Sequence, residues 1–369
     1  MDELAYWVGF NKVLGIGPAR LRALLDFFGN IEAAWHADAA SLHEVGLDRR
    51  SISNLLAARS QLDLPAQLVQ LQQAGVSVLT WDSDDYPINL RNIHDPPPVL
   101  YVKGELLPED DWAVAVVGTR HASVYGKEAA RQLAGDLAQN GVTVVSGLAA
   151  GIDAVAHQAA LDAGGRTLAV LGSGVDVIYP EQNRRLAEQI VTQGALLAEY
   201  PLGTRPERSN FPPRNRLISG LSLGTVVVEA GARSGALITS DFAAEQGREV
   251  FAVPGSIFQR TCEGTNRLIQ EGAKPVVSVN DVLEELNLAQ MTQQAEVRAV
   301  VPTTPTERVL LDLLSAEPLH VDALGRAANL PAPTVSGTLA LLELKGLARQ
   351  VSSMTYVRAR ESRADYQIG

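Results

Sequence analysis

From position 113 to 253 the chain repeats one pattern: a short apolar run, a turn that often carries glycine, then a stretch with helical spacing. The runs cover 113–117, 142–145, 167–171, 196–199, 225–229 and 250–253. The helical stretches cover 127–139, 154–163, 181–193 and 237–246. A strand that is apolar on both faces must be covered on both faces. Short apolar strands alternating with helices therefore predict an α/β fold, a parallel sheet between two layers of helices. Ligands of such sheets sit at the carboxyl ends of the strands. The turns Gly118-Thr119-Arg120, Ser146-Gly147, Gly172-Ser173-Gly174 and Pro254-Gly255-Ser256 all fall there.

The flanks follow other rules. Residues 1–70 read as a helical domain. Leu21, Leu24, Leu25 and Phe28 recur at helical spacing, and so do Ile52, Leu55 and Leu56. Residues 71–288 hold the sheet, and 289–304, rich in Gln and Thr with prolines near its end, read as a linker. In 305–360, Val309, Leu310, Leu313 and Leu314 mark one helical face. Helices over 321–328 and 334–344 and a hairpin over 349–358 complete the expectation of a winged helix.

Composition narrows the function. At 46% hydrophobic and 20% charged residues, the chain can bury a sizeable core. Its net charge of −11 excludes adhesion to nucleic acid through bulk charge, so a polyanion site must be a local basic patch. A single cysteine, Cys262, closes no internal disulfide and points to a reducing compartment. The histidines show no metal-ligand spacing, and no metal or cofactor is expected. Neither a signal peptide nor a membrane span is read, and the expectation is a soluble, cytoplasmic protein.

Gly118-Thr119-Arg120 offers backbone N–H groups and a guanidinium to an anion, or it is simply a tight turn with a surface arginine. Asp153 and His157 stand four apart; with no nucleophile beside them they read as structural. The segment 203–216 carries Arg205, Arg208, Arg214 and Arg216 against one acid, Glu207, in what reads as a single loop. With Phe211 among them, this is the composition of a single-strand binding surface: cations for phosphates and a ring for bases. The competing reading is a loop pinned by salt bridges. Glu229, before Arg233 and Ser234, offers a catalytic acid or a tie for Arg214 or Arg216, and the tie is expected. Gly15-Ile16-Gly17-Pro18, followed by Arg20 and Arg22, fits a helix-hairpin-helix turn, with Val45-Gly46-Leu47 as a degenerate second copy; a DNA contact and a packing role both stay open. The 334–344 helix has no basic residue before Lys345, so this winged helix is not expected to grip DNA.

In order along the chain, these motifs resemble the DNA-processing protein A (DprA/Smf) family. The resemblance covers Asp85-Tyr86-Pro87, Pro97-Pro98-Val99-Leu100-Tyr101, Gly118-Thr119-Arg120, Ser146-Gly147-Leu148-Ala149, Gly151-Ile152-Asp153 and Gly172-Ser173-Gly174. It continues through Tyr179-Pro180, Asn183, Phe211-Pro212, Arg214-Asn215-Arg216, Arg233-Ser234-Gly235, Pro254-Gly255-Ser256 and Gly264-Thr265-Asn266 to Gly272-Ala273. It implies an extended Rossmann-like core between a helix-hairpin-helix (SAM-like) N-terminal domain and a winged-helix C-terminal domain. It further implies a single-stranded-DNA-binding recombination mediator that protects incoming strands, dimerises, and loads the RecA recombinase in natural transformation. Arg120 matches the phosphate-contacting arginine of the family's Gly-Ser-Arg motif, with threonine in place of serine. Phe211 matches a base-contacting aromatic, Arg208 a backbone-contacting basic residue, and Ile269 lies in the self-association region, where Pro275 departs from the apolar pattern. The implied DNA surface includes Gly118, Thr119, Ser146, Gly147, Gly172, Ser173, Arg214, Asn215, Arg216, Arg233 and Ser234. An enzymatic alternative, glycosidic-bond hydrolysis as in related Rossmann-like folds, lacks its Pro-Gly-Gly turn and the carboxylate after it, so no catalytic residue is expected. A third reading, a sensor domain holding a mononucleotide, stays open.

Overall fold

A computed structural model describes residues 3–288, 305–315, 319–328, 330–344, 348–352 and 354–358. The expected linker, 289–304, lies outside them, as do Lys345 and everything past Arg358. The chain divides into two compact units, Met1–Ala289 and Gln290–Gly369.

The first unit is built on a sheet of nine strands: β1 (Val76–Thr80), β2 (Val99–Gly104), β3 (Ala113–Val117), β4 (Thr143–Ser146), β5 (Thr167–Val170), β6 (Gly194–Ala198), β7 (Gly224–Val227), β8 (Glu249–Ala252) and β9 (Lys274–Pro275). Their spatial order is β1-β2-β6-β5-β4-β3-β7-β8-β9. From β6 to β9 the pairing is parallel, whereas β1–β2 and β2–β6 are antiparallel. The antiparallel edge extends the Rossmann-like sheet beyond the strands expected from the sequence. β3, β4, β5, β6 and β7 are buried throughout, as their unbroken apolar runs require.

Within β3, alternate residues serve opposite layers. Val114 and Val116 pack with Leu133, Leu137 and Ala156 from helices Val124–Gln139 and Ile152–Asp162. Ala113, Ala115 and Val117 pack with Leu217, Ile218 and Ala236 from helices Phe211–Gly220 and Gly235–Glu245. The strand order reverses at β3: β4, β5 and β6 build away on one side, β7, β8 and β9 on the other. The helices after β3 and β7 diverge from that point and leave a crevice above the carboxyl ends of the two strands.

The N-terminal helices share a core with β1, β2, β5 and β6. Their hairpin turns resemble each other closely, since Gly15 and Gly46 both take left-handed backbone, with φ of 92° and 96°. Arg20 bridges the two copies by donating to the Gly15 carbonyl, Ser51 Oγ and Asp48 Oδ2. The arginine is 41% exposed and ties the two turns together.

In the second unit, helices Pro305–Leu313, Val321–Ala328 and Ala332–Leu344 pack on strands β10 (Leu319–His320), β11 (Ala348–Ser352) and β12 (Thr355–Arg358), a winged-helix arrangement. Leu310 and Leu314 are buried, but Val309 is exposed, so the inward face is narrower than its spacing implied.

Candidate nucleic-acid interface

The crevice at β3 and β7 opens into a pocket of about 620 Å³. Gly118, Thr119, Arg120 and His121 form one wall, and Ser234 and Gly235 another. Tyr179, Arg208, Phe211, Pro212, Arg214 and Asn215 close the remainder.

The main correction to the sequence reading concerns 203–216. This segment is not a single loop: a helix starts at Phe211 and runs to Gly220. Pro212-Pro213 does not interrupt it, because proline is well placed in a first helical turn, where the missing N–H has no partner to lose. The helix sorts the arginines. Arg208 precedes it and is exposed, while Arg214 and Arg216 face inward at 4% and 7% exposure.

Arg214 Nη1 donates to the Gly147 carbonyl at 2.8 Å and to the Val170 carbonyl, holding the ends of β4 and β5 together. Burial lowers its pKa to about 10, and the nearby Asp153 carboxylate opposes that shift. Asp153 accepts from the Gly147 and Ala149 N–H groups at 3.1 and 3.3 Å; burial raises its pKa against the pull of Arg214 and these donors. His157 Nδ1 sits 2.7 Å from Thr167 Oγ1, and burial, with a contribution from Arg214, pushes it down to about 3. It is neutral in the fold near pH 7; Asp153 reaches the pocket lining but is held by the Gly147 and Ala149 N–H groups. Arg216 pairs with Glu199 at 2.6 Å and Asp95 at 3.1 Å. Glu229 is not the tie for either arginine: its Oε2 accepts from the Ser123 N–H at 2.8 Å, at the start of helix Val124–Gln139. A buried carboxylate is stabilised there by free N–H groups and the helix dipole.

The surface layer differs. Arg120 is exposed, and its guanidinium carbon lies 5.5 Å from the Phe211 ring centroid; that of Arg214 lies 5.8 Å away from beneath the surface. The ring rests on Gly172, where a Cβ would stand 2.9 Å from Phe211 Cδ1. Gly151 is equally constrained. With φ of 85°, it would drive a Cβ to 2.3 Å from the Thr119 carbonyl oxygen, so only glycine lets the 118–121 and 147–151 turns nest.

The remaining expected site residues scatter. The Ser146 hydroxyl donates to the Val116 carbonyl and that of Ser173 to the Val177 carbonyl; both side chains are buried and turned from the pocket. Asn215 donates to the Gly235 carbonyl at 3.3 Å, and Ser234 caps helix Gly235–Glu245. Arg233 is exposed outside the pocket, and Ile269 is half-buried on helix Glu263–Gln270. Sequence reasoning missed Tyr179 as a wall residue. It is 46% exposed, with its ring 5.7 Å from that of Phe211. Tyr179-Pro180 stands among the motifs of the resemblance, but its pairing with Phe211 leaves no local mark, because the two are far apart in the chain.

Among the described residues no His, Cys, Asp and Glu cluster could hold a metal, and no helix is long and apolar enough to cross a membrane.

Known proteins share this architecture. Residues 77–287 match the family profile described as DNA recombination-mediator protein A, and 294–353 match that of the DprA winged helix domain. The Smf protein of Synechocystis is 38% identical over 97% of this chain and 99% of its own. The crystal structure of DNA processing protein A from Streptococcus pneumoniae superposes with a TM-score of 0.68 at 37% identity, over 77% of this chain and 98% of that one. DNA processing protein A from Helicobacter pylori, whose structure is described as showing a single-stranded DNA binding mode, gives 0.52 at 30% identity, over 57% and 95%. The extended sheet, the terminal winged helix and matches along nearly the whole length agree, and the chain belongs to the DNA recombination-mediator protein A (DprA/Smf) family.

Proposed function

We propose that this protein binds single-stranded DNA across the β3/β7 crevice and acts there as a recombination mediator without catalysing a reaction. The observation that carries the reading is the pairing of the exposed Arg120 with the half-buried Phe211 ring, with the exposed Arg208 lining the same pocket, in a protein whose net charge is −11. A guanidinium for phosphate beside a ring for bases is what a sequence-tolerant strand binder requires. Gly118 and Thr119 supply close backbone approach and Gly172 seats the Phe211 ring, while Arg214 and Asn215 form the floor. Ser146, Gly147 and Ser173 act by shaping the turns, Arg216 by anchoring the helix that presents Phe211, and Ser234 by bounding the far wall, with Arg233 exposed just outside it.

The family supports the finer steps: protection of incoming single strands, self-association near Ile269, and loading of RecA recombinase during natural transformation, in a cytoplasmic setting. The first test is fluorescence anisotropy of a labelled single strand at several salt concentrations, with duplex and mononucleotide as competitors. Binding that falls with salt and resists both competitors supports the proposal. Displacement by the mononucleotide would replace it with a sensor. RecA filament formation on strands coated with single-strand-binding protein, with and without this protein, tests the loading step.

A further inference from the structure

A second aromatic surface lies further along the same strand-end edge. Phe258 is 91% exposed and Ile257 81%, on the turn that follows β8. Val124, 87% exposed, and Tyr125, 48% exposed, lie at the start of helix Val124–Gln139. The two segments are joined, since Tyr125 Oη donates to the Pro254 carbonyl at 2.9 Å, and a cleft runs between Tyr125 and the 254–259 turn. This surface is continuous with the crevice. Tyr125 follows Arg120 and His121 by a few residues, and the Thr119 N–H donates to the Glu229 carbonyl at 2.7 Å. The 229–234 turn in turn abuts the 260–264 segment through the Gly264 N–H on the Ala230 carbonyl, at 2.8 Å.

The charge nearby is positive. Arg233 and Arg260 are exposed and form no ion pair among the described residues, and Glu263 is the one acid between Pro254 and Asn266. We infer that Phe258 and Tyr125 form a second base-stacking subsite for single-stranded DNA, with Arg233 and Arg260 on its phosphates. The inference rests on the strand-binding reading and extends it. Exposed rings among unpaired arginines fit a polyanion with stackable bases.

Geometry fixes a length requirement. β5, whose end lies under Phe211, is four strands from β8 in the order β5-β4-β3-β7-β8. At about 4.8 Å per strand the two platforms are roughly 19 Å apart. A strand with a helical rise of about 3.4 Å per nucleotide needs about 6 nucleotides to reach both.

The test measures affinity of the full chain for oligothymidylates of about 4 and about 16 nucleotides. Phe258→Ala should weaken binding of the long strand roughly 5- to 100-fold and leave the short one unchanged. Phe258→Trp should retain tight binding, and Phe258→Leu should behave like Phe258→Ala. Full long-strand affinity in Phe258→Ala, beside a Phe211→Ala control that loses it, overturns the subsite and leaves the main reading standing. Equal losses on both lengths, or full binding by Phe258→Leu, also overturn it. A change in sedimentation on Phe258→Ala would reassign the patch to contact with a second copy of the chain. Failure of the unmodified protein to bind either strand would instead count against the proposed function.

Discussion

The crevice has two layers built from similar residues with opposite tasks. On its surface Arg120 and Arg208 are exposed beside Phe211. Beneath it Arg214 and Arg216 are buried, one holding carbonyls of Gly147 and Val170, the other paired with Glu199 and Asp95. Burial decides the difference. A guanidinium taken out of water must find acceptors inside the protein, whereas one left in water is available to a phosphate. An arginine count over 203–216 therefore overstates the proposed binding surface and understates the framework.

The strongest way to break this comparison is Arg216→Ala. It leaves Glu199 buried without its main partner and should destabilise the fold by about 3–5 kcal/mol in urea unfolding. A loss of strand affinity without a loss of stability would place Arg216 in the surface layer instead. The next is acid titration of the buried layer. His157 is held near a pKa of about 3, while the unfolded chain titrates near 6.5. Between those values the unfolded state binds the extra proton. The stability from neutral His157 is thus complete above about 6.5 and falls with pH, by up to about 1.4 kcal/mol per pH unit. His157→Gln should show a shallower decline from pH 6 to pH 4, and parallel curves would sink the assignment.

The surface layer should respond in binding rather than stability. Phe211→Ala is expected to weaken single-strand affinity by about 1–3 kcal/mol in anisotropy titrations. The smallest effect is electrostatic. Arg120→Gln or Arg208→Gln should each reduce the slope of log K against log salt by about 1 while the unfolding midpoint stays put. An unchanged slope would move that arginine to the framework.

Much of this molecule was legible along the chain. The run at 113–117 coincides with β3, and the other apolar runs fall within a few residues of their strands. Unbroken apolar runs have few alternatives to a doubly covered strand. The helix at Phe211–Gly220 was not legible. Pro212-Pro213 carries the same signal for a loop as for a first helical turn, and only the packing of Leu217 and Ile218 against the sheet resolves it. The role of Glu229 was misread because its partner, the Ser123 N–H, is a backbone group and leaves no mark in the sequence.

The sequence by itself determined the α/β class, the placement of glycine turns at strand ends, the family resemblance and the local excess of arginine in an acidic chain. These depend on neighbours a few residues apart, where period and composition act directly. The tertiary structure alone decided that β3 and β7 flank the point of reversal, that Tyr179 joins Phe211, and which arginines meet water. Each of those outcomes is set by contacts between segments far apart in the chain, and desolvation acts on the folded surface rather than on the order of residues.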